Sequence, residues 1–343
     1  MPDGDVVWIG SWSTRLTSYC RLLLRRAREE GGHLSHIKGK TAPTPLLRAR
    51  RLGNALGLRE LYLKLETANA TGSHKDRVAR HIVVFARTLG YSEVAFGTCG
   101  NLGVALAQAC HVTGLSCTVF VPAHYSGARA HAMSALGAQV TRTPGGYEEA
   151  VAMSRQAAHI TGALDANPDG PVAELFFDAY AEMTCEILAL CPSPQSIWVP
   201  SGNGTTAAGV FRGLGVGQRR RDEEPYTAVC LSGSAGNTAV TASVAAGEVV
   251  ELDPCSLLDT EANEPLVNWR SMHAAEALEA VRLTGGFAND ATEIQLLSMQ
   301  RLLERLEQVV ASPAAASSLV GLVSSLGRSQ LDPASPHVAI LTA

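Results

Sequence analysis

Three short stretches of this sequence place small, hydroxyl-bearing and charged residues where a strand hands over to a helix. The first is Asn69-Ala70-Thr71-Gly72-Ser73-His74-Lys75-Asp76-Arg77, after the strand-like run Leu61 to Leu65. A Thr-Gly-Ser turn entering a helix sets Lys75 by the positive end of the helix dipole. That setting lowers a lysine's pKa and favours the neutral amine that Schiff-base chemistry needs. Taken alone, a lysine in a first helical turn reads as a surface residue. The second stretch is Gly97-Thr98-Cys99-Gly100-Asn101-Leu102-Gly103. Its small residues and backbone N–H groups suit an anion such as an α-carboxylate, although a plain β–α turn has the same composition. The third is Pro200-Ser201-Gly202-Asn203-Gly204-Thr205-Thr206-Ala207. Glycines for close backbone approach, a helix N-terminus and two hydroxyls make a phosphate cradle. The same residues match G-x-G-x-x-A, a dinucleotide-binding pattern, which wants an acidic residue at the end of the next strand. That strand, Thr227 to Leu231, ends in Ser232-Gly233, so the dinucleotide reading loses its ribose contact.

The elements that must position these turns are legible as apolar runs. Val94 to Phe96, Thr118 to Val121, Ile197 to Val199, Thr227 to Leu231 and Val338 to Leu341 read as strands. Between them lie Ala-rich helical stretches at Gly103 to Val112, Gly127 to Leu136, Tyr147 to Ile160 and Ala173 to Leu190. Strand and helix in alternation predict an α/β protein with a mostly parallel sheet covered on both faces. Pro192-Ser193-Pro194 and the charged turn Gly217 to Pro225 read as connectors.

The wider composition excludes several classes. The chain has 343 residues, a net charge of −4 and 46% hydrophobic residues, which suits a large soluble unit rather than a nucleic-acid or membrane-surface binder. The basic stretch Arg15 to Glu30 reads as solvated surface. Eight cysteines without a C-x-x-C pair predict reduced thiols and a cytoplasmic setting. His33 and His36 lack partners at ligand spacing, so no metal site is expected. The N-terminus lacks the layout of a signal peptide, and no apolar run is long enough to span a membrane.

Lysine, anion loop and phosphate cradle in this order resemble the fold-type II pyridoxal-phosphate enzymes, and in particular their threonine synthase-like branch. The resemblance runs from Thr44-Pro45-Leu46 to the C-terminus. It implies two three-layer αβα domains with mostly parallel sheets and the active site in the cleft between them. The larger domain is expected over residues 1–78 plus 180–343, and a smaller inserted one over 79–179. It implies pyridoxal 5'-phosphate held as a Schiff base on the catalytic Lys75. Asn101, Gly202, Asn203, Gly204, Thr205, Thr206 and Thr342 are then the further cofactor contacts, with the Thr342 hydroxyl at the pyridine nitrogen. Thr98, Cys99, Gly100 and Asn101 would bind the substrate carboxylate. A small amino acid is the implied substrate and a homodimer the implied assembly. The run Asn263-Glu264-Pro265-Leu266 is family-like too, without a chemical role that the sequence reveals.

One departure narrows the activity. Threonine synthases grip the phosphate of O-phosphohomoserine with an arginine-containing stretch, yet no Lys or Arg lies between Arg155 and Arg212 here. Asp165 to Pro171 and then Glu174, Asp178 and Glu182, four apart, stand in that region, and the acidic stripe reads as a solvated helix face. A region without a cation clamps a dianion poorly. The expectation is therefore a lyase-type elimination or replacement on another small amino acid. Cysteine synthase-like β-replacement, serine/threonine deamination, an inactive cofactor-binding paralogue and a nicotinamide-dependent oxidoreductase are the alternatives.

Overall fold

The computed structural model describes residues 43–98, 100–218, 227–328 and 331–343. The chain opens with β1 (Leu46–Arg48), α1 (Arg50–Leu56), β2 (Glu60–Leu65), α2 (Lys75–Thr88) and β3 (Glu93–Gly97). There follow α3 (Asn101–Thr113), β4 (Ser116–Val121), α4 (Gly127–Ala135), β5 (Gln139–Arg142), α5 (Tyr147–Thr161), β6 (Leu164–Asp165) and α6 (Ala173–Leu190). Next come β7 (Ser196–Pro200), α7 (Thr205–Gln218), β8 (Ala228–Ser234), α8 (Ala239–Ala246) and α9 (Ala274–Thr284). Finally come β9 (Ala288–Ala291), α10 (Glu293–Glu307), α11 (Pro313–Leu326) and β10 (Pro336–Leu341). The basic stretch from Arg15, His33, His36, Cys99 and most of the charged turn after residue 218 lie outside the described residues.

These elements form two compact units, one of residues 80–98 and 107–174, the other of residues 43–79, 100–106 and 175–343. The smaller holds a four-stranded, all-parallel sheet in the order β5-β4-β3-β6. Within it Asn167 is fully buried and acts as a strut, accepting from Gly97 N at 2.9 Å and donating to Ser154 Oγ at 2.9 Å.

The larger unit holds a six-stranded sheet in the order β1-β2-β10-β7-β8-β9. Only the β1–β2 pair is antiparallel, so the expectation of a mostly parallel α/β fold is met. All residues of β7 and β8 are buried, as strands covered on both faces must be. Helix α11 lies across β7, β8, β9 and β10, started by the Ser312 cap with Pro313 in its first turn. The missing side chain of Gly321 lets the fully buried Trp198 ring reach its backbone. Trp198 also meets Phe287 edge-on at 5.5 Å, the packing geometry that aromatic pairs prefer.

Strand β8 runs three residues past its predicted end. The Ser232-Gly233-Ser234 turn chemistry is overridden because each of these residues has a parallel partner on β9. Helices α6 and α7 approach closely through Gly209 and Gly213, one turn apart. A Cβ on Gly213 would lie 2.5 Å from Thr184 Cβ, and one on Gly209 would collide with Tyr180 Cβ. That approach places the Tyr180 side chain.

Candidate active site

The first turn of α2 begins at Lys75, as the sequence predicts. Asp76 accepts from Thr71 N at 2.7 Å and Thr71 Oγ1 at 2.5 Å, closing the Thr71-Gly72-Ser73 turn onto the helix. The end of β10 ties down the other side, since the Thr342 carbonyl accepts from His74 N at 2.9 Å and lies 3.0 Å from His74 Nδ1. A carbonyl only accepts, so Nδ1 carries the hydrogen. Nε2 is then the acceptor toward Thr206 Oγ1, 3.4 Å away. Burial, and next the charge of Lys75, hold His74 well below the usual histidine range despite the Thr342 carbonyl. A neutral ring with one defined tautomer therefore sits beside the lysine.

Lys75 Nζ donates to Tyr180 Oη at 3.0 Å and lies 5.3 Å from the centre of that ring. Tyr180 is fully buried, and burial pushes its phenol upward, so it stays protonated. Its ring lies 5.1 Å from that of His74.

Beneath the same helical turn lies a buried ionic cluster. Arg77 Nε and Nη2 donate to Glu66 at 2.7 and 2.9 Å, and Nη1 and Nη2 donate to Glu186 at 2.8 and 2.7 Å. Lys64, also fully buried, donates to Glu186 and to the Thr44 carbonyl. Burial alone raises the Glu186 carboxyl, but Arg77 and then Lys64 outweigh it and hold the group below the usual carboxylate range. The predicted solvated face of α6 is corrected here. Glu174, Asp178 and Glu182 are half-buried, Asp178 pairs with Arg212 at 2.8 Å, and Glu182 lies 3.5 Å from Arg77. The stripe continues one step further to Glu186.

The turn from Gly202 to Thr205, at the N-terminus of α7, is gripped by residues 263–273. Ser271 Oγ donates to Gly202 O at 3.0 Å, His273 N to Asn203 O at 3.0 Å, and Thr205 Oγ1 lies 2.8 Å from His273 Nδ1. Gly204 has φ +77°, and a Cβ there would lie 2.5 Å from His273 O. A Cβ on Gly202 would lie 2.5 Å from Pro265 O. Both glycines are thus required by the turn's own packing. The Asn263-Glu264-Pro265-Leu266 run now has a role as the start of this strap.

The larger unit brings Lys75, the Gly202-Asn203-Gly204-Thr205-Thr206 turn and Thr342 into one bonded arrangement through His74. Thr342 directly follows β10 and is buried. Asn101 opens α3 with Gly100 just ahead of it, both in the larger unit, whereas Thr98 belongs to the smaller one and bonds Phe120 O at 2.9 Å. Cys99 is outside the described residues. Tyr180 and the Glu66–Arg77–Glu186–Lys64 cluster escaped sequence reasoning. The available signal was the four-residue acidic period, which reaches Glu186.

Residues 37–343 match the family described as pyridoxal-phosphate dependent enzyme, and the chain belongs to that family. Its cofactor is accordingly pyridoxal phosphate. The chain is 29% identical over 303 residues to a threonine synthase of Methanocaldococcus jannaschii, covering 87% of this chain and 73% of the relative. It is 32% identical over 197 residues to a cystathionine beta-synthase of Oryctolagus cuniculus, covering 53% of this chain and 35% of that one. Among solved structures, the processed threonine deaminase isoform 2 of Solanum lycopersicum superposes with a TM-score of 0.77 at 19% identity. That likeness covers 97% of this chain and 90% of the deaminase. Maize serine racemase gives a TM-score of 0.78 at 17% identity, covering 94% and 92%. These likenesses establish the fold-type II architecture.

The donor set fits the cofactor. An aldehyde needs an amine, which Lys75 could supply, and a phosphate needs N–H donors at a helix N-terminus, which the Gly204–Thr206 end of α7 could supply. Thr342, buried just after β10, would offer the cofactor ring a neutral hydroxyl rather than a carboxylate. Among the described residues no helix is long and apolar enough to cross a membrane, and no group of three or more metal-ligating side chains is present.

Proposed function

We propose that this protein catalyses an elimination or replacement on a small amino acid other than O-phosphohomoserine, with the cofactor carried on Lys75. The observation that carries the reading is the single bonded arrangement of Lys75, His74, Thr206 and Thr342 beside the Gly202 turn. When bound, pyridoxal phosphate supplies a conjugated ring that takes up the electron pair left at Cα. Lys75 Nζ serves as the base that removes the Cα proton and returns it later. His74 stays neutral and packs as a polar spacer, since Nδ1–H is committed to Thr342 O. The Gly202–Thr206 turn orients the phosphate, and Thr98, Gly100, Asn101 and Cys99 receive the substrate carboxylate. Thr342 is a neutral partner for the ring nitrogen, which favours elimination and replacement over amino-group transfer.

The exclusion of O-phosphohomoserine draws on the commitments of Arg77 and of the two arginines that bound the cation-free stretch in sequence. Arg155 is bonded to Asp165 and Asp169, Arg212 to Asp178, and Arg77 to Glu66 and Glu186. A guanidinium already matched by a carboxylate is a poor clamp for a phosphate dianion. The homodimer and cytoplasmic setting expected from the sequence belong to this proposal.

The test is a visible spectrum of the purified protein, borohydride reduction with peptide mapping, and product analysis with amino acids added singly. A reduced cofactor label on Lys75, absent in Lys75→Ala, is expected, with turnover of a small hydroxy- or thio-amino acid. Released ammonia identifies deamination, and dependence on an added nucleophile identifies replacement. A protein that takes up no cofactor refutes the reading, and efficient conversion of O-phosphohomoserine to threonine refutes the substrate exclusion.

A further inference from the structure

Tyr180 comes to Lys75 from a helix 105 residues away in sequence. Its ring is held by the close approach of Gly209 on α7 and by an edge contact with Phe176 at 6.4 Å. The phenol is fully buried, and its oxygen meets Nζ at 3.0 Å. Desolvation keeps it an O–H group, so it offers an oxygen lone pair without adding a charge. We propose that Tyr180 is the positioning residue for Lys75, fixing the direction of the amine's lone pair and favouring its ammonium form. The inference rests on the reading of Lys75 as the base.

In the proton transfer, the substrate Cα–H bond breaks and an N–H bond forms at Nζ. The electron pair stays with the substrate, and the amine becomes an ammonium. The Tyr180 oxygen accepts an N–H from the amine before the step and from the ammonium after it. One N–H held on Tyr180 leaves the lone pair pointing elsewhere. After the transfer the ammonium gains more from the oxygen than the amine did, because charge-assisted hydrogen bonds are stronger.

Tyr180→Phe removes the oxygen and keeps the ring, its seat on Gly209 and its contact with Phe176. The full chain, stripped of cofactor, is titrated by the pH dependence of Lys75 modification with trinitrobenzenesulfonate, read as the mass of the Lys75 peptide. The midpoint is expected to fall by about one pH unit in Tyr180→Phe. Phe176→Leu, which loosens the same helix face but keeps the oxygen, is expected to leave it in place. In the reconstituted protein, exchange of the alanine Cα hydrogen with D2O should slow about tenfold, with KM held within about twofold. An unchanged midpoint in Tyr180→Phe overturns the proposal, as does an equal shift in Phe176→Leu. Borohydride labelling separates the two claims. No label on wild-type Lys75 sinks the reading of the lysine, whereas a label with an unchanged midpoint sinks only the role of Tyr180.

Discussion

Arg77→Met should destabilise the larger unit and loosen the start of α2. Arg77 is only 3% exposed and holds two carboxylates, Glu66 at 0% and Glu186, which is half-buried. Breaking a buried pair by removing one partner costs about 3–5 kcal/mol. Glu66 keeps the Thr44 hydroxyl at 2.6 Å and the Asn69 amide at 2.9 Å, and Glu186 keeps Lys64, so the lower end applies, about 3 kcal/mol. With an unfolding entropy of roughly 2 cal/mol/K per residue, that cost lowers Tm by about 4 °C for a chain of 343 residues. The assay is thermal unfolding by circular dichroism between pH 7 and pH 3.5. In the wild type, Glu186 sits below its unfolded value, so its contribution is fully present above about pH 4.3 and lost as the pH falls through the folded value. Without Arg77 that component shrinks, and the two curves converge below about pH 4. A Tm change under about 1 °C with an unaltered acid limb would show that the cluster contributes nothing.

Further outcomes follow from single positions. His74→Asn should flatten the loss of stability between about pH 6.5 and pH 5. A histidine held below its unfolded value destabilises the fold as the pH drops, because only the unfolded chain takes the proton freely. Tm measured at pH 7.5 and 5.5 checks this, and an unchanged difference refutes it. On α7, Gly209→Ala should cost about 1–3 kcal/mol through collision with Tyr180, whereas Gly215→Ala, with nothing within 4 Å of its Cβ, should gain up to about 1 kcal/mol. Denaturant melts of the two variants decide it, and a loss in both would mean that the helix contact is not the cause.

The sequence carried the strands, the lysine turn and the glycine turn because each is a local signal. Lys75 opens its helix, and α6 spans Ala173–Leu190 as read from its composition. Strand β9 was illegible since Ala288-Asn289-Asp290-Ala291 has no apolar alternation, and it forms only because β8 offers a parallel partner. Lys64 alternates with Leu63 and Leu65 and so reads as facing water, but β2 is covered where Lys64 stands and Glu186 answers its charge. Tyr180 sits in a helix of apolar neighbours, where a core tyrosine and one that touches Lys75 have the same surroundings. Only the Gly209 approach separates them, and it is a fact of tertiary packing.

The smaller sheet, β3 to β6, is drawn entirely from one stretch of chain between β2 and β7, while β2, β10 and β7 are immediate neighbours in the larger sheet. Every bond described around Lys75, from Thr342, Tyr180, Thr206 and the Arg77 cluster, is internal to the larger unit. Descent can therefore work on the two parts at different speeds. Substitutions that accumulate in the β3 to β6 stretch leave these described bonds intact, so one ancestral anchor can be inherited by lineages whose inserted sheets diverge widely.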